Sequence, residues 1–187
     1  MQFGLTVLPK ELSESVSATV RVTKQAEDLG FTECWIGDSQ GIWQELYVTL
    51  TVCAMQTNRM LLGPGVTNPL TRHPAVTARA LATLHELAPG RVLCGIGAGD
   101  TSLTHLGLPP VKMKVMEDAI RCLRELFRGE ASSYLGHDVP ALSNYSPKDI
   151  KIYLAAFGPK MLQLAGRVAD GVVASVGMTR ELIAYVQ

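Results

Sequence analysis

The sequence predicts an α/β fold built on a parallel sheet, and three observations carry that expectation. Short apolar runs alternate with longer amphipathic ones along the 187 residues, the pattern of βα units rather than of hairpins. Six such units of about 30 residues follow one another, which gives a parallel sheet, either open and doubly wound or closed as a barrel. Polar or glycine-rich clusters stand at the C-terminal ends of four of the strands, where parallel sheets place their ligand sites.

Phe3 to Leu8 reads as the first strand. Ser13 to Leu29 carries the helical stripe Val16, Val20, Ala26 and Leu29 and stops at Gly30, a C-cap position. Phe31 to Gly37 is the second strand and Trp43 to Gln56 the second helix. Met60 to Val66 is the third strand, running into the stretch LGPGVTNPLTRHP from Leu62 to Pro74. Gly65 and Asn68 there tolerate unusual backbone conformations and the three prolines remove amide donors, so backbone groups are left free for a ligand. A plain strand-to-helix loop is the alternative. Pro74 to Leu87 forms the third helix, with a small-residue face at Ala75, Ala78 and Ala82. Arg91 to Ile96 is the fourth strand and Lys114 to Phe127 the fourth helix. A loop of about 20 residues holds Gly129, Gly136, Pro140 and Pro147, a length that is usually functional or mobile. Ile150 to Ala156 is the fifth strand, Pro159 to Val168 a helix, Gly171 to Val176 the sixth strand, and Thr179 to Gln187 a last helix.

Composition bounds the chemistry. With 47% hydrophobic residues the chain has material for one sizeable core and reads as a single domain over 1–187. Seventeen basic side chains balance seventeen acidic ones, which argues against nucleic-acid or anionic-membrane partners. No apolar run approaches the roughly 20 residues of a membrane span, and no signal-peptide pattern opens the chain. Cys34, Cys53, Cys94 and Cys122 are widely spaced without a CxxC pair, so they read as reduced core thiols of a cytoplasmic protein. His73, His85, His105 and His137 share no metal-ligand spacing, and no metal site is expected.

The four strand-end clusters are Gly37 to Gln40, Val66 to Asn68, Gly97 to Thr101 and Ala155 to Lys160. Asp38 and Asp100 are candidate acid, base or hydrogen-bonding groups; carboxylates that cap loops are as common. Gly95, Gly97 and Gly99 are spaced GxGxG, not the GxGxxG opening a helix that a dinucleotide fingerprint needs. Gly158, Pro159 and Lys160 suit an anion better: proline at the first helical position, free amides and a lysine charge. Arg72 and His73 could hold a phosphate, a partner subunit or their own loop. Trp43 could stack on a flat ring or belong to the core.

With these residues laid out, the chain resembles the bacterial luciferase-like superfamily, nearest its deazaflavin-dependent branch related to methylenetetrahydromethanopterin reductase. The matching stretches are AEDLGFTECWIGDSQ, LGPGVTNPLTRHPAVTARALATL, PGRVLCGIGAGD, IYLAAFGPKMLQLAG and VADGVV, in family order along nearly the whole chain. The resemblance implies a (β/α)8 TIM-barrel type of fold, of which about six βα units are present, with strands seven and eight lacking a counterpart. It implies an oxidoreductase that transfers a hydride between coenzyme F420, an 8-hydroxy-5-deazaflavin, and a small organic substrate. An FMN-dependent monooxygenase and a non-catalytic relative that binds a flavin-like ligand or acts only through dimerisation are the alternatives. Carried over, a non-proline cis peptide joins Gly65 and Val66 and bulges the third strand against the back of the ring. Asp38 matches the family's acidic residue after strand two, Asn68 the position that contacts the ring system after the bulge, and Gly97, Ala98 and Asp100 the pocket-lining segment. Ala155, Ala156, Gly158 and Pro159, with Lys160 beside them, match the segment that holds the phosphate-bearing tail. Asp38 and Asp100 are the catalytic candidates. Ser39 departs from the histidine that several deazaflavin dehydrogenases place after the aspartate. Relatives commonly form homodimers through their second and third helices, with which the Ala75, Ala78 and Ala82 face is compatible; burial inside one chain explains that face equally well.

Overall fold

The computed structural model describes residues 3–7, 15–174 and 179–186. Its elements run β1 (Gly4–Val7), α1 (Val16–Asp28), β2 (Glu33–Ile36), α2 (Leu46–Gln56), β3 (Leu61–Pro64), α3 (Pro74–Leu87), β4 (Leu93–Ile96), α4 (Thr101–Thr104), α5 (Met113–Phe127), β5 (Ser132–Tyr134), β6 (His137–Val139), β7 (Lys151–Ala155), α6 (Pro159–Val168), β8 (Gly171–Val173) and α7 (Arg180–Val186). The sequence-predicted ends at Leu8, Ser13, Val176 and Gln187 lie outside the described residues.

β1, β2 and β3 pair in parallel in that order, as do β4, β7 and β8. The two sets meet at β3 and β4. There the Leu62 amide donates to the Arg91 carbonyl at 2.8 Å, the Thr67 amide to Gly95 at 3.1 Å, and the Gly97 amide to Thr67 at 2.8 Å. Between these contacts the ladder is interrupted, because Pro64 has no amide hydrogen; the Gly65–Val66 peptide that follows is cis. Six parallel strands therefore run in barrel order, β1-β2-β3-β4-β7-β8. This is the TIM-barrel arrangement, and the open-sheet alternative is set aside.

Alternation along the strands separates two environments. Cys34 and Ile36 of β2, Cys94 and Ile96 of β4, and Ile152 and Leu154 of β7 are buried in one cluster with Leu50, Leu81 and Leu123 of the helices. The intervening residues Glu33, Trp35 and Tyr153, with Thr6 and Val173, line a lumen of about 500 Å³. Trp35 meets Tyr153 edge to face at 5.2 Å.

Three elements differ from the sequence expectation. The second helix starts at Leu46 rather than Trp43, because Glu45 is its N-cap and accepts the Val48 amide at 2.8 Å. A short helix, α4, follows β4 where only a turn was expected. The long loop contains an antiparallel hairpin, β5–β6, whose turn places Leu135 and Gly136 at φ 52° and 82°. Positive φ at both turn residues is the conformation that matches strand twist. Buried Tyr134 pins the hairpin by stacking edge-on to His73 and donating to the Pro69 carbonyl at 3.3 Å. On the alanine face of α3, Ala78 and Ala82 are fully buried within this chain and Ala75 is half-buried, which favours the reading of burial inside one chain.

Candidate functional site

The C-terminal ends of β2, β3, β4 and β7 open onto one cleft of about 540 Å³, within the range of small-molecule sites. All four sequence-predicted clusters contribute to it, through Gly37–Ser39, Gly65–Val66, Gly97–Ser102 and Ala155 with Phe157–Gly158. Trp43 and Met161 supply further apolar wall.

The bulged end of β3 shapes the floor, and the glycines around it are spaced to receive it. A β-carbon on Gly95 would stand 2.1 Å from the Pro64 carbonyl oxygen. One on Gly97 would stand 2.7 Å from Val66 Cγ2 and 3.1 Å from the Ala155 β-carbon. One on Gly37 would strike the Trp43 indole at 2.3 Å. Gly95 and Gly97 thus let the bulge settle against β4 with Val66 projecting into the cleft, and Gly37 lets Trp43 lie flat on the β2 exit. The GxGxG run serves strand packing rather than a phosphate.

Asp38 is a clamp. Its Oδ2 accepts from Thr67 Oγ1 at 2.6 Å and from Arg72 Nε at 2.9 Å, and its Oδ1 accepts from Arg72 Nη2 at 3.1 Å. Arg72 also donates to Glu45 Oε1 at 2.7 Å and lies over the Tyr47 ring at 4.9 Å. Burial works to lower Arg72, but the hydrogen bonds and charges of Asp38 and then Glu45 outweigh it and hold the guanidinium above its ordinary range. The β2 end, the bulge exit and the N-terminus of α2 are thereby joined. Arg72, left open in the sequence between an anion and its own loop, serves the loop.

Asn68 differs from its expected place at the ring. Its Nδ2 donates to Thr71 Oγ1 at 2.8 Å and Ser102 Oγ at 3.1 Å, and its Oδ1 accepts the Leu70 and Thr71 amides. All four hydrogen-bonding positions of the amide are used inside the loop, and Asn68 does not line the cleft. Ala156 is buried behind the wall, and Pro159 and Lys160 stand exposed on the first turn of α6 beside it. Asp100 lies exposed at the cleft mouth, and among the described residues its carboxylate makes no hydrogen bond.

Sequence reasoning placed Ser39 in the first strand-end cluster beside Asp38 but gave it no contact of its own. It is 5% exposed, lines the cleft, and among the described residues its hydroxyl has no partner. Only the depth of the position distinguishes it from an ordinary loop serine, and depth is invisible in sequence. Among the described residues no group of His, Cys, Asp and Glu is placed to hold a metal, and no helix is long and apolar enough to cross a membrane.

A parallel barrel with a ligand cleft at the C-terminal strand ends defines the class of protein to which this chain is built. Within that class it belongs to the luciferase-like monooxygenase family, whose sequence profile matches residues 1–185. It is 39% identical over 178 residues to 5,10-methylenetetrahydromethanopterin reductase of Archaeoglobus fulgidus, covering 92% of this chain and 52% of the relative. The solved coenzyme F420 dependent tetrahydromethanopterin reductase of Methanopyrus kandleri superposes with a TM-score of 0.78 at 33% identity, over 92% of this chain and 55% of that one. A type II Baeyer-Villiger monooxygenase component from Pseudomonas putida, in complex with FMN, shares the fold with a TM-score of 0.80 at 20% identity, over 100% of this chain and 60% of that one. The chain spans about half the length of the curated relatives it matches.

Proposed function

We propose that this chain carries the cofactor-binding part of an oxidoreductase that moves a hydride between a deazaflavin of the F420 type and a small organic substrate. The observation that carries this reading is the cleft floor. Val66 and Ala155 stand on it with Gly97 between them, and Ala98, Met161 and Trp43 line the same cleft, an apolar platform that fits one face of a tricyclic ring and leaves the other face open. Gly158 as the unencumbered N-cap of α6 and Lys160 on its first turn suit an anionic tail. The similarity to deazaflavin enzymes supports the same choice of cofactor.

When bound, the deazaflavin supplies the hydride chemistry. The protein supports the ring on Val66, walls the cleft with Trp43 and Phe157, and holds the bulge exit through the Asp38–Arg72 clamp. A carboxylate held by a guanidinium fork and a hydroxyl donor is committed as an acceptor, so Asp38 positions the site. Asp100, with its carboxylate unengaged at the mouth, is the group available to take up or release a proton on the substrate.

Titrating the purified chain with the deazaflavin and with FMN tests the reading. Saturable deazaflavin binding, with FMN absent or much weaker, is expected. Saturable FMN binding without deazaflavin binding overturns it in favour of the monooxygenase, and binding of neither favours the non-catalytic alternative. The partner we propose for the chain is a second copy of itself.

A further inference from the structure

Among the described residues, Ser39 is the one cleft side chain whose polar atom is buried without a hydrogen-bond partner. Its hydroxyl is buried without a partner among the described residues, and nearby groups are already committed. The Ser39 carbonyl accepts the Ile42 and Trp43 amides at 2.9 and 2.8 Å, which fixes the residue in its turn. Gln40 Nε2 donates to the Ser102 carbonyl at 2.8 Å, Thr67 Oγ1 to Asp38 and Asn68 Nδ2 to Ser102 Oγ. A buried polar atom left unpaired costs stability, and an atom that lines a ligand cleft gains its partner from the ligand.

Resting on the deazaflavin reading above, we infer that the Ser39 hydroxyl hydrogen-bonds a polar heteroatom of the bound cofactor and so sets its depth and orientation in the cleft. The bond is neutral, carries no proton across, and needs no further protein group. Serine at this place makes the position a ligand contact of the hydroxyl type.

The test is Ser39→Ala in the 187-residue chain, read twice. Without ligand, the variant melts at the same temperature as the wild type or higher, because it deletes an unpaired buried hydroxyl. In the deazaflavin titration it binds about five- to tenfold more weakly, the loss of one neutral hydrogen bond. A wild type that binds deazaflavin and a variant that binds it equally well overturn the inference and leave the proposed function standing. A melting temperature several degrees lower without ligand also overturns it, since the hydroxyl then has a partner inside the protein. A wild type that binds no deazaflavin overturns the proposed function, and the contact with it.

Discussion

A methyl group added at Gly97 meets Val66 Cγ2 at 2.7 Å and the Ala155 β-carbon at 3.1 Å, both in the cleft floor. Overpacking of this kind costs about 1–3 kcal/mol, and here the displaced atoms are those on which the ring is proposed to rest. Gly97→Ala is expected to lower stability by that amount and to weaken deazaflavin binding at least about tenfold, measured by urea denaturation and by titration. Gly166 is the control: a β-carbon there meets nothing within 4 Å, it lies inside α6, and Gly166→Ala should stabilise by about 0.4–1 kcal/mol with binding unchanged. The cysteines give a second test at the same scale. Burial pushes the thiols of Cys34 and Cys94 up to about 12, and all four cysteines are buried. Reaction with a disulfide reagent at pH 8 should therefore show no fast phase in the folded protein and four reactive thiols in guanidinium chloride. A fast phase would mean that one of them is accessible.

Among the elements, the joint between α1 and β3 rests on one carboxylate. Glu27 is 5% exposed and accepts the amides of Asn58, Arg59 and Met60, the last two at 2.6 and 2.7 Å. Burial works to raise its pKa, but the hydrogen bonds from Arg59, Met60 and Asn58 outweigh it and hold the carboxyl below the ordinary value. With the folded value below the unfolded one, the stabilisation is fully present above about pH 4.5 and is lost as pH falls through the folded value. Glu27→Gln should cost about 2–3 kcal/mol at pH 7 and should flatten the acid limb of stability below about pH 4.5, followed by urea unfolding at several pH values. An unchanged acid limb would place the titration elsewhere. The Asp38–Arg72 clamp predicts non-additivity: Asp38→Asn and Arg72→Lys each weaken ligand binding several-fold, and the double variant loses little more than either alone. These joints mark the limit of what could be read from sequence. The six βα units and the four strand-end clusters were legible, since period and turn chemistry are local. The Asp38–Arg72 pair and the Glu27 cradle join residues about 30 positions apart, a separation that periodicity does not encode. The hairpin at Ser132–Val139 was missed because Leu135 is an unusual residue for its positive φ, and Asn68 was misplaced because its saturation by its own loop depends on Ser102.

At the scale of the whole molecule, α2 shows what the chain leaves uncovered. Its inner face buries Leu46, Leu50 and Cys53, while Val48, Val52 and Met55 on the outside are 58%, 36% and 70% exposed. Spacings of four and three residues put these three on one helical stripe, and a helix apolar on all sides belongs inside a larger structure. Val76 at the start of α3 is 58% exposed as well. A second copy covering α2 and α3 is our proposal for the partner, on this outer stripe rather than on the buried alanines of α3. A competing surface exists: among the described residues β1 and β8 each pair along one side only, and open strand edges also associate. The two routes separate by substitution. Sedimentation of the wild type at micromolar concentration should give a dimer. Val48→Lys combined with Met55→Glu should give a monomer whose fold, read by circular dichroism, is intact. A wild-type monomer overturns the proposal. Association that survives the two α2 changes assigns it to the strand edges instead, because charges on α2 leave β1 and β8 untouched.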